Sequence, residues 1–239
     1  MTVVGCSPAW PNPGGAHSGY LVESAEGSRL LLDCGPGVLS RLRAREGWPR
    51  IDAIAITHMH PDHVGDLAPW LWGQLTGPAR GLSGPELWLP PGGHRELEHF
   101  ATRFDEAFAV REYEGGRTFT AAGLAVTPYP VQHYDEPTFA LRIEEGATVL
   151  AYSADTGPTP SLVTVARDAD LFLCEATLGP DGEQQRPRGH LTAAEAAEAA
   201  REAGAKRLLL VHRAAELPVD GYEVAHDGLE VELGVEARV

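Results

Sequence analysis

Cysteine is scarce in this 239-residue chain, with three residues at Cys6, Cys34 and Cys174. An odd, scattered set excludes a disulfide framework and suits a reducing compartment. No apolar stretch approaches the roughly 20 residues that a membrane-spanning helix needs. Met1 to Pro11 has neither a basic start nor a long hydrophobic centre, so no secretion signal is expected and the cytoplasm is the expected location. Positive charge is short as well: 19 Lys and Arg face 34 Asp and Glu, a formal net charge of −15. So acidic a surface disfavours nucleic acid, which is normally gripped through Lys and Arg contacts to phosphates. Arg is used almost to the exclusion of Lys, a habit that genomic base bias or a hot habitat would each produce. Internal repeats and low-complexity linkers are missing too.

What is present concentrates in one segment, Thr57-His58-Met59-His60-Pro61-Asp62-His63, directly after the apolar run Ile54-Ala55-Ile56. Neutral imidazole nitrogen and ionised carboxylate oxygen are donors for zinc, manganese or iron, and one ion cannot easily take four groups from so short a loop. Two ions are therefore expected. A polar surface turn is the plainer alternative, and further donors downstream argue against it. Each lies just past a hydrophobic run: Asp33 after Leu30 to Leu32, His133 after Leu124 to Tyr129, Asp155 after Val149 to Tyr152, Glu175 after Leu171 to Leu173, and His212 after Leu208 to Val211. Short apolar runs bounded by Gly, Pro or charge read as buried strands, and donors at the same end of several strands converge on one sheet edge. Because candidate ligands run from position 58 to 212, cutting the chain would divide the site, and a single domain over residues 1–239 is expected. A chain of this length buries roughly 70–75% of its unfolded surface, enough to fold without staples.

The pattern resembles the metallo-β-lactamase-fold hydrolases: His-x-His-x-Asp-His from His58 to His63, His133, Asp155 in Ser-Ala-Asp-Thr, and His212, with Gly5-Cys6-Ser7 and Leu32-Asp33-Cys34-Gly35 upstream. The resemblance implies an α/β fold, a four-layer αββα sandwich of two mixed sheets flanked by helices. It also implies that His58, His60 and His133 hold one divalent ion and Asp62, His63 and His212 a second, with Asp155 bridging and water as the nucleophile. Zn2+ is the expected metal, with Mn2+ and Fe2+ as alternatives.

Two cations lower the pKa of a shared water and clamp the oxygens of an in-line displacement at phosphorus. A leaving alkoxide still needs a proton. Gly189-His190-Leu191-Thr192 offers an imidazole just before a helix start, marked by the Thr192 and Glu195 capping box and an Ala-rich run to Gly204. His190 is the candidate general acid, and Asp62 could also steer the water. Asp33 and Glu175 are candidates to accept the free N–H of a metal-bound imidazole, with Glu175 alternatively orienting His190. Gly-His-x-Thr, an Ala-rich helix and a Leu-rich strand ending in His are similar to the ribonuclease Z and phosphodiesterase branch of the family.

Ribonuclease Z enzymes carry a long arm between the third metal His and the bridging Asp that grips transfer RNA. Here His133 and Asp155 are separated only by a hairpin, Thr138 to Ile143 and Thr148 to Tyr152. A small-molecule phosphodiesterase acting on cyclic nucleotides or another cyclic phosphate is therefore expected, with Ser7 and Ser18 as candidate phosphate contacts. The alternatives are a lactone or thioester hydrolase, a ribonuclease Z-like endonuclease of transfer RNA, a mononuclear iron persulfide dioxygenase and a non-catalytic binding protein. A homodimer is left open by Trp70, Trp72 and Trp88, which could line a core or a partner face. His94 and His99 read as a solvated helix face.

Overall fold

The computed structural model describes residues 1–182, 187–217 and 219–234. Its first sheet takes β1 (Thr2–Gly5), β2 (Gly19–Glu23), β3 (Arg29–Leu32), β4 (Ala53–Ala55), β5 (Glu86–Leu89) and β6 (Ala109–Glu112) in that spatial order. The helices α1 (Val38–Arg45), α2 (Pro61–Val64), α3 (Leu67–Leu75) and α4 (Gly93–Phe100) connect these strands. The second sheet is formed by β7 (Phe119–Ala121), β8 (Leu124–His133), β9 (Glu136–Glu145), β10 (Thr148–Tyr152), β11 (Leu171–Glu175) and β12 (Leu208–Val211), also in sequence order. Between its last strands lie α5 (Ser161–Val165) and α6 (Ala193–Ala203). Both sheets are mixed: β3 to β6 and β10 to β12 run parallel, and the remaining pairs are antiparallel.

Continuous apolar runs form these strands because both faces are covered. Side chains alternate across a strand, so each run splits between two cores. Leu30 and Leu32 enter the inter-sheet core with Leu171, Leu173, Leu209 and Val211. Leu31 turns outward to Val38, Leu42, Leu67 and Trp70 of α1 and α3. Phe172, Cys174 and Leu210 turn the other way, to Leu162, Ala196, Ala200 and Ala203 of α5 and α6. This is the expected four-layer arrangement. The small face of α6 follows from its Ala repeat, and Thr192 and Glu195 form the expected capping box while Gly204 ends the helix in the left-handed region.

In the second sheet the expected strand from Leu124 runs on through Pro128 and Pro130 to His133 as β8. The reason is local. β7 pairs only with Leu124 to Val126, so beyond that point one side of β8 is an edge, where a missing N–H breaks no ladder. On the other side β9 pairs along the full length, to His133 opposite Glu136. Trp70 is fully buried against Trp48, Trp88 stacks on Phe119 at 4.3 Å, and only Trp72 of the three is largely exposed. Among the described residues no helix is long and apolar enough to cross a membrane.

Candidate metal centre

All of the candidate donors leave the sheets at one end. Asp33 follows β3, the His58 to His63 loop follows β4, His133 ends β8, Asp155 follows β10, Glu175 ends β11 and His212 follows β12. The carboxyl ends of parallel strands are where open α/β sheets place their ligand sites. Backbone strain gathers there too. Of the seven non-Gly residues with positive φ among those described, Asp33, Tyr134, Ala154 and His212 sit at these exits. Left-handed non-Gly residues are unfavourable and collect at sites whose geometry is over-determined. Close approach adds to this at Gly35, where a Cβ would lie 2.0 Å from the carbonyl oxygen of Asp62.

Two groups of donors converge. His58, His60 and His133 form one and Asp62, His63, Asp155 and His212 the other, each with its donor atoms within 4.8 Å of one another. Nδ1 of His60 lies 3.2 Å from Nε2 of His58 and 3.0 Å from Nε2 of His133. In the second group Nε2 of His212 is 3.2 Å from Asp62 and 3.4 Å from Asp155, and Nε2 of His63 is 3.5 Å and 3.4 Å from the same two carboxylates. Asp155 also reaches toward the first group, 3.9 Å from Nε2 of His133.

The outward hydrogen bonds fix which nitrogen faces inward. Nδ1 of His133 donates to the carbonyl of Gly189 at 2.7 Å, so its Nε2 carries a lone pair. The Thr57 hydroxyl donates to Asp33 and so accepts from Nδ1 of His58 at 3.1 Å. Nδ1 of His63 donates to Asp33 at 2.8 Å. The Thr177 hydroxyl donates to the carbonyl of His212 and accepts from its Nδ1 at 2.8 Å. With the rings neutral, these inward nitrogens present lone pairs to one another and to the carboxylates of Asp62 and Asp155, an arrangement that repels unless a proton or a cation lies between them.

The spacing suits such a cation. Bonds of about 2.0–2.1 Å to a tetrahedral ion set donors about 3.3–3.4 Å apart, close to the separations seen. Nε2 of His63 and Oδ1 of Asp155 are buried without a hydrogen-bond partner, although they lie 3.4 Å apart. Charge points the same way. Burial opposes ionisation of Asp62 and Asp155, but the His212 and His63 imidazoles hold both carboxyls below the usual range. Burial also disfavours protonation of His63, yet the Asp155 and Asp33 carboxylates outweigh it and raise its pKa well above the ordinary value. His58, fully buried and beside His63, is held neutral. Every ion pair of Asp62 and Asp155 among the described residues is to an imidazole. The donor set fits a divalent metal pair.

Asp33 and Glu175 are fully buried, so neither is a hydrated strand-end charge. Asp33 accepts from His63 Nδ1, the Thr57 amide and hydroxyl, and the Tyr152 hydroxyl, all at 2.8–3.0 Å. Glu175 accepts from His190 Nδ1 at 2.8 Å and from the amides of Thr156, Thr177 and Leu191. The His190 ring lies at 17° and 5.7 Å from that of His212 and edge-on to that of His133 at 4.9 Å. Ser7 is buried with its hydroxyl accepting from the Asn12 amide, Ser18 is fully buried, and among the described residues no hydrogen bond links either to the cluster. His94, on α4 and away from the cluster, pairs with the exposed Asp105 in keeping with a solvated helix face.

Four residues of the site were not legible as such. Thr57 and Thr177 orient imidazoles through an unremarkable hydroxyl, and Tyr152 closes an apolar run where an aromatic reads as core. His17 is buried with Nδ1 donating to the carbonyl of Pro8, near enough to Asp62, His212 and His63 to feel their charge. Only its neighbourhood in space reveals it.

Comparison with known proteins agrees with this geometry. Residues 28–213 match the family model described as beta-lactamase superfamily domain. A probable metallo-hydrolase from Bacillus subtilis, YhfI, is 33% identical, with 97% of this chain and 91% of that protein aligned. The crystal structure of YhfI superposes with a TM-score of 0.83 at 26% identity, covering 95% of this chain and 96% of that one. Ribonuclease Z of Myxococcus xanthus is 30% identical over 98% of this chain and 97% of its own length. That alignment runs over 303 positions, more than the 239 residues here, so the relative carries insertions that this chain lacks. By family match, overall likeness and a donor cluster suited to metal, the chain belongs to the beta-lactamase superfamily and is a metal-dependent hydrolase of the metallo-β-lactamase fold.

Proposed function

We propose that the protein is a phosphodiesterase of small molecules, with cyclic nucleotides or another cyclic phosphate as substrates. The observation that carries this reading is the setting of His190, which has a ring nitrogen within 4.8 Å of donor atoms of both His133 and Asp155. Two cations, one held by His58, His60 and His133, the other by Asp62, His63 and His212 with Asp155 between, would supply Lewis acidity at phosphorus and a water of lowered pKa. Asp33, Thr57 and Thr177 accept the outward Nδ1–H of His63, His58 and His212 and so aim the opposite ring nitrogens inward. Asp62, in the same segment as His58, His60 and His63, steers the attacking water. Glu175 holds Nδ1 of His190, so the proton passed to the leaving alkoxide comes from Nε2.

Two features support a small substrate over transfer RNA. β8, β9 and β10 follow one another through tight turns at 134–135 and 146–147, with nothing inserted between His133 and Asp155. The net charge of −15 gives a long polyanion no footing. Metal-loaded protein is expected to hydrolyse bis-para-nitrophenyl phosphate and at least one cyclic nucleotide, and to leave homoserine lactones and precursor transfer RNA unchanged. Intact diesters would end this reading. Metal content tests it separately: about two zinc or manganese ions per chain agree with it, and about one iron would favour the persulfide dioxygenase.

A further inference from the structure

Tyr134 stands in the two-residue turn between β8 and β9, in the left-handed region with φ 49°. Its carbonyl accepts from Nε2 of Gln132 at 2.5 Å. A Cβ built on Gly189 would stand 2.1 Å from Cε2 of Tyr134, 2.3 Å from Cζ and 2.5 Å from Cδ2. Such similar distances to three consecutive ring atoms mean approach over the ring face, since an in-plane approach would leave the flanking atoms much farther off than the central one. Gly189 thus covers one face of the ring, and no larger residue fits. The neighbouring rings are His133 at 5.1 Å and His190 at 5.7 Å and 81°.

This aromatic is not a core residue. It is half-buried and belongs to none of the three apolar clusters among the described residues. A strained turn and a glycine hold it beside His133 and the proton donor His190. We propose that Tyr134 is a specificity-determining residue: its ring, seated on Gly189 next to His190, is the platform on which a planar heterocycle of the substrate stacks, which makes the substrate class a nucleotide and not a base-free diester. The proposal rests on the phosphodiesterase reading above. Aromatic stacking accepts any base and needs no cationic side chain, so it suits an acidic protein that must hold an anionic substrate.

The test compares metal-loaded wild type with Y134A and Y134F. Steady-state kinetics are measured on 3′,5′-cyclic AMP and on 1,3-propanediol cyclic phosphate, which has the same phosphate ring and no base. Calorimetry measures binding of adenosine 5′-monophosphate and of inorganic phosphate. Y134A is expected to raise KM for the cyclic nucleotide and Kd for the monophosphate by about 5- to 100-fold. Its effect on kcat, on the base-free diester and on phosphate is expected to be far smaller, and Y134F should retain most of the wild-type affinity. Equal losses on both diesters would make Tyr134 a mere support for His133 and His190 and overturn the proposal. So would wild-type protein that binds the monophosphate no more tightly than phosphate, or Y134A that binds it as wild type does. If wild type hydrolyses neither diester, the phosphodiesterase reading falls while calorimetry still decides the stacking.

Discussion

Replacing Asp33 by Asn tests how the metal centre is held. All four groups around this buried carboxylate are donors: the Thr57 amide and hydroxyl, Tyr152 hydroxyl and His63 Nδ1–H. Asparagine has the same shape but one acceptor oxygen. Its amide would take the place of Oδ1, since Oδ2 faces three donors, and would meet the Thr57 N–H head-on. An orphaned buried donor costs about 1–3 kcal/mol, which sets the expected loss of unfolding free energy. His63 would also exchange an ionised partner for a neutral one. Loss of a carboxylate that orients a metal-bound imidazole typically lowers metal affinity by about 10- to 100-fold, so competition with a chromophoric zinc chelator should show a shift of that size. Tyr152→Phe is the matched control. It removes one donor and keeps the charge, with an expected stability loss of about 0.5–1.5 kcal/mol and little change in zinc affinity. The reasoning is refuted if D33N binds zinc as tightly as wild type, or if D33N and Y152F weaken binding equally.

Other consequences can be measured independently. His190→Ala should lower kcat by about 10²- to 10⁴-fold on diesters with an alkoxide leaving group, and much less on para-nitrophenyl esters, whose leaving group needs no proton; equal losses on both would remove the general-acid role. Glu195, hydrogen-bonded to Arg188, has its pKa depressed from 4.5 to about 2. Because the folded value is the lower one, its contribution is complete above pH 4.5 and fades as pH falls toward 2. The Glu195 side chain is about a third exposed, so screening limits that contribution to about 0.5–1 kcal/mol; E195Q should remove it, read as a smaller difference in urea midpoint between pH 6 and pH 3 for chelator-treated protein. Stripping metal should lower Tm, since each cation present at about a thousand times its Kd stabilises the fold by about 4 kcal/mol; a Tm indifferent to chelator and added zinc would contradict the metal assignment.

The sequence was most readable where a residue has one physical use. The runs ending at Leu32, Tyr152, Leu173 and Val211 are apolar throughout because both faces of each strand are buried, and no helix of that length would be. His58 to His63 could be read because alternating imidazoles at a strand exit have few purposes besides metal. Thr192, Glu195 and Gly204 announced α6 through cap chemistry that is local in sequence. Residues that serve through space were silent. Tyr152 meets Asp33 across the gap between the sheets, 119 positions earlier, and in the chain it is simply the last member of a core run. Tyr134 and Gly189 explain each other only once the β8–β9 turn is folded against the loop before α6. The prolines of β8 show the same dependence on space, because whether a missing N–H matters depends on where the neighbouring strand stops.

The same distinction explains why the donors are divided as they are. His58, His60, Asp62 and His63 leave the first sheet, whereas His133, Asp155 and His212 leave the second. Each donor group draws on both sheets. The sheets are joined along their inner faces by Leu30, Leu32, Leu171, Leu173, Leu209 and Val211, an apolar contact that ends where the strands end. At the exits the facing groups are lone pairs and carboxylates, which push the sheets apart unless positive charge intervenes. A cation in either group would therefore act on the fold as well as on the substrate, closing the sandwich at the end where this apolar contact stops.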